Sequence, residues 1–136
     1  MKSVLDIGCG TAQLGRMLMD NKIAYSGFDY SSKAKEIAKG FGVSTWIGTV
    51  DDAKNYIPAD AYLCMEVLEH LENDLGVFGL LPKGSFFFFS VPTFKHESHV
   101  RRFKTESSVR KRYSVYFTEL IIKQVGKRFL CKGILL

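Results

Sequence analysis

At 136 residues, with 46% hydrophobic and 24% charged residues, the chain is long enough for a buried core and has an ordinary composition for a folded protein in water. No stretch approaches the roughly 18 apolar residues of a membrane-spanning helix, and the opening MKSVLDIG meets Asp6 too early for a signal-peptide core. Three widely spaced cysteines (Cys9, Cys64, Cys131) without a CxxC pair argue against a disulfide framework or a zinc site and for a reducing, cytoplasmic setting. The net charge of +5 is uneven: residues 1–80 carry 7 Lys/Arg against 11 Asp/Glu, whereas residues 81–136 carry 12 against 3.

Apolar runs alternate with helical patterns along the chain. SVLDI (3–7) reads as a buried strand, and Leu14, Met17 and Leu18 then give the i, i+3, i+4 stripe of a helix with Thr11 as N-cap. IAYSGFDY (23–30) is strand-like. Ser31 or Ser32 caps a helix with the stripe Ala34, Ile37, Ala38, stopped by Gly40. VSTWI (43–47) is a third strand, a short helix lies near 51–56, and DAYLCM (60–65) is a fourth strand that runs into a helix opened by EVLEHLEN. SFFFFSV (85–91) is unbroken apolar, the pattern of a strand covered on both faces. A polar loop, a helix around 105–113 and two strands (roughly 115–124 and 128–135) joined across Gly126-Lys127 complete the chain. This alternation predicts an α/β fold: a doubly wound, mostly parallel sheet of about seven strands closed by an antiparallel hairpin. No repeat, low-complexity tract or linker interrupts it, so residues 1–136 read as a single domain.

The glycines of VLDIGCGTAQLG (4–15) sit between the first strand and first helix, where bare backbone lets a ligand approach and offers amide N–H groups to it. A dinucleotide fingerprint needs G-x-G-x-x-G, but Gln13 stands where its third glycine belongs. The alternative needs an acid in the first strand, a glycine turn, and a second acid closing the second strand. Asp6 and Asp29 supply these, and a carboxylate at Asp29 can accept both hydroxyls of a ribose.

With those residues in place, the sequence resembles the class I S-adenosylmethionine-dependent methyltransferases. VLDIGCGTAQLG is similar to their first motif, GFDYS to their ribose-binding acid, CMEVLEHL to the segment after strand four, and SVPTF with HVRRF to the end of strand five and its loop. In motif style it is nearest the quinone-type O-methyltransferases. The resemblance implies S-adenosylmethionine as cofactor and a Rossmann-like methyltransferase fold. It places Gly8, Cys9 and Gly10 along the methionine part, with Asp6 orienting the turn. Asp29 would take the ribose hydroxyls, Tyr30 would border the adenine, Thr49, Val50 and Asp51 would contact it, and Met65 and Glu66 would approach the sulfonium. Cys9 is there a small packing residue, not a nucleophile.

Glu66, Glu69 and His70 stand at i, i+3 and i+4, so a helix would put two carboxylates and an imidazole on one face. Three readings are open: a wall of the cofactor pocket, a general base at His70, or a divalent cation held by all three. Quinone-ring O-methyltransferases and small-RNA 2′-O-methyltransferases carry a similar E-x-x-E-H helix and are associated with metal there. His70 is taken as the catalytic residue and no metal is assigned. His96 and His99 could join this site from the following loop, Arg101 and Arg102 could pair with an anionic group on the acceptor, and Phe94 and Phe103 could stack on a flat ring.

The expected activity is methyl transfer to an oxygen or nitrogen of a small-molecule or macromolecular acceptor. The basic end either faces an anionic acceptor or is a solvated face that keeps a small protein soluble, with nucleic acid not favoured. No NPPY-like motif or cytosine-methylation nucleophile stands out. The alternative is a non-catalytic cofactor-binding or scaffold subunit. Relatives usually carry an N-terminal helical cover, whereas here Met1 is two residues from the first strand, so the domain is expected to lack that cover and to have an open acceptor side.

Overall fold

Strand–helix alternation carries through the computed structural model, which describes residues 1–136. The backbone forms two compact units, Met1–Leu63 and Cys64–Leu136. Together they carry the seven strands of a mixed sheet. No helix is long and apolar enough to cross a membrane.

In the first unit, β1 (Ser3–Ile7), β2 (Ala24–Asp29), β3 (Ser44–Ile47) and β4 (from Ala61) lie in the order β3-β2-β1-β4, all parallel. Register runs Asp6↔Gly27 and Ile7↔Phe28, then Phe28↔Trp46 and Asp29↔Ile47, so three adjacent strands end together. The helices α1 (Gln13–Asp20) and α2 (Ser32–Gly40) follow β1 and β2. Ser31 caps α2 as expected, its hydroxyl accepting from the Ala34 amide. Thr11 does not cap α1. Ala12 precedes that helix in a left-handed conformation (φ 58°) without a side-chain cap, and its own amide closes the glycine turn onto the Cys9 carbonyl.

The second unit holds β5 (Phe86–Pro92), α3 (Glu106–Tyr113), β6 (Phe117–Val125) and β7 (Arg128–Leu135), with strand order β5-β7-β6 and both pairings antiparallel. Phe87 and Phe89 on β5 meet Phe78, Tyr113 and Phe117 in one aromatic cluster with ring centroids 5.3–6.5 Å apart. A reciprocal capping box between Thr105 and Ser108 starts α3.

The helix predicted from EVLEHLEN does not form. Glu66 adopts φ 57°, only Leu68–His70 makes a single 3₁₀ turn, and Asp74–Leu80 forms a second 3₁₀ stretch. The reason lies in where the backbone bonds go. The carbonyls of Leu68, Leu71 and Glu72 accept from the Arg101 guanidinium, and Asn73 takes the Gly76 amide. Consequently Glu66, Glu69 and His70 do not share a helical face.

Candidate functional site

In the first unit, the residues after β1, β2 and β3 converge at the carboxyl ends of the strands, where such sheets bind ligands. Gly8 (φ 70°) and Gly10 (φ 53°) take the left-handed backbone that glycine tolerates best. The Gly8 and Cys9 amides both donate to the Phe28 carbonyl at 2.9 and 3.0 Å. The Gly10 amide donates to Asp29 Oδ2 (2.9 Å), while Asp29 Oδ1 accepts from the Ser31 amide (3.0 Å). One half-buried carboxylate thus ties the glycine turn to the start of α2. Each of its oxygens has capacity for a further donor. A side-chain carbon built on Gly10 would meet nothing within 4 Å, so the space above the turn is open.

Asp6 lies beneath the turn. It is buried and accepts from the Tyr25 hydroxyl at 2.6 Å. Burial pushes its carboxyl up to about 6, against the Tyr25 hydrogen bond and with help from the Asp29 charge. Its carboxylate is thus committed to the Tyr25 hydroxyl. Burial, followed by the charges of Asp6 and Asp29, raises the Cys9 thiol to about 12, the opposite of what a nucleophile needs. Cys9 instead packs on Gly27, where an added Cβ would come within 2.8 Å of the Cys9 Cβ.

Tyr30 is 82% exposed just beyond Asp29, and Ile47, level with Asp29 in the sheet register, is also exposed. Behind them, the 48–51 segment is strapped down. Asn55 Nδ2 donates to the Thr49 carbonyl (2.9 Å), Asn55 Oδ1 accepts from Trp46 Nε1 (2.9 Å), and the Tyr56 hydroxyl donates to the Val50 carbonyl (2.5 Å). Asp51 is left exposed, whereas Asp52 caps a 3₁₀ turn by accepting from the Lys54 amide. Sequence reasoning missed Asn55, Tyr56 and Ile47; the first two act on backbone across a turn and leave no periodic signal.

In the second unit Met65 is half-buried and Glu66 exposed. The Glu66 amide donates to the buried Ser90 hydroxyl (2.8 Å), and its carboxylate accepts from Arg128 Nε at 2.6 Å. Arg128 also lies over the Phe94 ring, 5.8 Å from its centroid. A different trio assembles nearby: Glu69, His70 and His99 each bring one ligand-type atom to within 4.8 Å of the others. His70 Nδ1 faces the Ser98 carbonyl at 2.9 Å, which can only accept, so the neutral ring carries its proton there and keeps a lone pair on Nε2. That Nε2 is 3.8 Å from Glu69 Oε1.

Glu69 is 2% exposed, and its Oε2 and His99 Nδ1 are buried without a hydrogen-bond partner. Burial pushes the Glu69 carboxyl up and the His99 imidazole down. His96 stays peripheral, exposed and bonded to Ser98. Two expected acceptor contacts are committed elsewhere. Arg101 is spent on the three carbonyls and on Asp74 (3.5 Å), and Phe103 is buried against Tyr113. Arg102 remains exposed.

Residues 5–79 match the model of a family described as a methyltransferase domain. Over 101 residues the chain is 31% identical to a ubiquinone biosynthesis O-methyltransferase of Vibrio vulnificus, covering 65% of this chain and 43% of that protein; it therefore spans less than half the length of this relative. Among solved structures, the methyltransferase domain of the bacterial protein CtHen1-C superposes with a TM-score of 0.78 at 21% identity over 98% of this chain and 89% of that one. Magnesium protoporphyrin IX methyltransferase from Synechocystis, solved with bound S-adenosylhomocysteine, gives 0.74 at 16% identity over 98% and 74%. The family match covers more than half of the sequence and the fold extends over nearly all of it: the chain belongs to the methyltransferase domain family, with the fold of the class I S-adenosylmethionine-dependent methyltransferases.

Proposed function

We propose that the chain binds S-adenosylmethionine and transfers its methyl group to an oxygen or nitrogen acceptor. The observation that carries this reading is the Asp29 carboxylate, anchored on the Gly10 and Ser31 amides with free acceptor capacity beside an open glycine turn. The donor set fits the cofactor: Asp29 for the ribose hydroxyls, Gly8–Gly10 along the methionine part, Tyr30 and Ile47 as apolar surface for the adenine, and Thr49–Asp51 at its edge. Met65 and Glu66 keep their place near the sulfonium on resemblance alone. When bound, the cofactor supplies a methyl group already activated by a positively charged sulfur, so catalysis rests on alignment more than on chemistry from side chains. The acceptor's lone pair takes the methyl, and its proton must leave.

We assign that step to His70 from its position in the segment that resembles the family's; in support, the Nδ1–carbonyl bond keeps its Nε2 lone pair free. A second reading rests on the two orphaned atoms. Glu69 Oε2 and His99 Nδ1 are buried with no partner beside His70, and a divalent cation would satisfy both. Equilibrium dialysis with manganese or zinc separates the two. Binding that is lost in both Glu69→Ala and His99→Ala supports the cation. No binding, with methyl transfer insensitive to a chelator and lost in His70→Ala, supports the base. The ubiquinone O-methyltransferase likeness favours an oxygen acceptor. Transfer from labelled cofactor to phenolic or catecholic compounds tests that, and tight cofactor binding with no transfer to any acceptor would favour the non-catalytic subunit.

A further inference from the structure

Arg128 sits where the last hairpin of the second unit meets the end of β5. It is the first residue of β7 and pairs with Pro92, the last of β5. The Thr93 amide and hydroxyl both donate to the Lys127 carbonyl (2.9 and 3.1 Å), which ties the hairpin to the loop carrying Phe94 and His99. From there the guanidinium lies over the half-buried Phe94 ring, 5.8 Å from its centroid. Phe94 in turn contacts the His99 imidazole (5.2 Å between centroids), and His99 stands edge-to-face with His70 at 4.9 Å. A cation, a flat ring and the proposed base thus belong to one contiguous row of side chains.

The donors of Arg128 are only partly used. Glu66 takes one side of the guanidinium: its Oε1 alone accepts from Nε (2.6 Å) and from Nη2. Nη1 has no partner in the chain, so the outer fork keeps free N–H groups. The other arginines of this unit are spent or bare. Arg101 and Arg112 pair with Asp74, Arg110 bonds Glu106 and the Leu120 carbonyl, and Arg102 is exposed with no ring beside it. Glu66 itself is held at φ 57°, a backbone conformation that non-glycine residues rarely adopt, with its amide on the buried Ser90 hydroxyl. Strain of that kind persists at ligand sites where the surroundings over-determine it, and here it delivers the carboxylate that orients Arg128. Resting on the methyl-transfer reading, we infer that Arg128 and Phe94 select an aromatic acceptor that carries a carboxylate. The acceptor ring stacks on Phe94, and its carboxylate takes the open fork of Arg128 through two parallel N–H···O bonds. A monoanion is the fitting charge, because a phosphate dianion would face the Glu66 carboxylate bound to the same guanidinium. The 12 Lys/Arg against 3 Asp/Glu of residues 81–136 draw such an anion to this unit.

The test titrates the isotope-labelled full chain with a dihydroxybenzoate bearing adjacent hydroxyls and with its neutral methyl ester, followed by nuclear magnetic resonance. The acid is expected to bind about fivefold or more tightly than the ester and to shift the Arg128 Nε–H signal. Arg128→Gln should abolish that preference while leaving ester binding within about twofold. Phe94→Ala should weaken both ligands by about threefold or more, with circular dichroism confirming that each variant is folded. No binding of the acid, equal binding of acid and ester, or a preference that survives Arg128→Gln overturns the inference. So does tighter binding of phenyl phosphate than of benzoate. The acid–ester preference is read without cofactor, so failure of the same sample to bind S-adenosylmethionine counts against the methyl-transfer reading alone.

Discussion

Asp74→Ala should be among the most destabilising single changes outside the aromatic core. Its carboxylate is fully buried and accepts from Arg112 Nε (3.0 Å), an Arg112 terminal nitrogen (2.7 Å) and the Tyr113 hydroxyl (2.7 Å), with Arg101 at 3.5 Å. The buried Tyr113 hydroxyl would lose a charge-assisted bond worth about 1.5–3 kcal/mol. Arg101 keeps its three carbonyl partners, so its loss is nearer ~1 kcal/mol. Arg112, more than a third exposed, is taken up by water and adds only about 0.5 kcal/mol. The expected cost is therefore roughly 3–4.5 kcal/mol, measured by urea unfolding followed by far-ultraviolet circular dichroism at pH 7. Glu106→Ala, which breaks an exposed i,i+4 pair, should cost no more than about 0.5 kcal/mol. Burial raises the Asp74 carboxyl, but the Arg112 and Tyr113 hydrogen bonds and the two arginine charges outweigh it, leaving it below the usual range. A depressed folded value means that this stability is present above the unfolded carboxylate value of about 3.9 and is lost as pH falls through the folded one. The gap between wild type and Asp74→Ala should thus narrow below about pH 4. A variant within ~1 kcal/mol of wild type at pH 7 would refute the reasoning.

Asp6 titrates with the opposite sign. Its folded value of about 6 lies above the unfolded one, so wild-type stability should decline as pH rises from about 4 to 6, and Asp6→Asn should flatten that slope in a pH series of unfolding curves. Gly15→Ala would ordinarily favour a helix by about 1 kcal/mol. Here the new Cβ would come within 2.4–2.7 Å of three carbons of the Tyr25 ring, which Asp6 holds in place, so thermal unfolding should show a loss of roughly 1–3 kcal/mol. Asn55→Ala removes the strap on Thr49 and orphans Trp46 Nε1, and should weaken S-adenosylmethionine binding with little change in secondary structure.

The first half of the fold was legible because its signals are local. Asp6, the Gly8–Gly10 turn, Asp29 and the Ser31 cap all lie within a few residues of the strand ends they serve. The terminal hairpin was legible from Gly126 between two apolar runs, with strands observed at Phe117–Val125 and Arg128–Leu135. The segment after β4 was not. Its helical spacing is real in the sequence, but Arg101, some thirty residues on, takes the carbonyls that an α-helix would use. The same long-range bonding turned Arg101 from an expected acceptor contact into a clamp, and brought His99 to Glu69 and His70 while Arg128 drew Glu66 away. Thr11 failed as a cap because the glycine turn closes through Ala12 instead.

Calorimetric titration with S-adenosylmethionine, on wild type and Asp29→Ala, tests the central claim most directly. The turn and its carboxylate predict one site per chain in wild type. Asp29→Ala should weaken it by about 2–4 kcal/mol, roughly 30- to 1000-fold in Kd, because the ribose hydroxyls lose their charged acceptor and the Gly10 amide its anchor. Wild type that binds no S-adenosylmethionine, or a folded Asp29→Ala that binds it as tightly as wild type, would contradict the account.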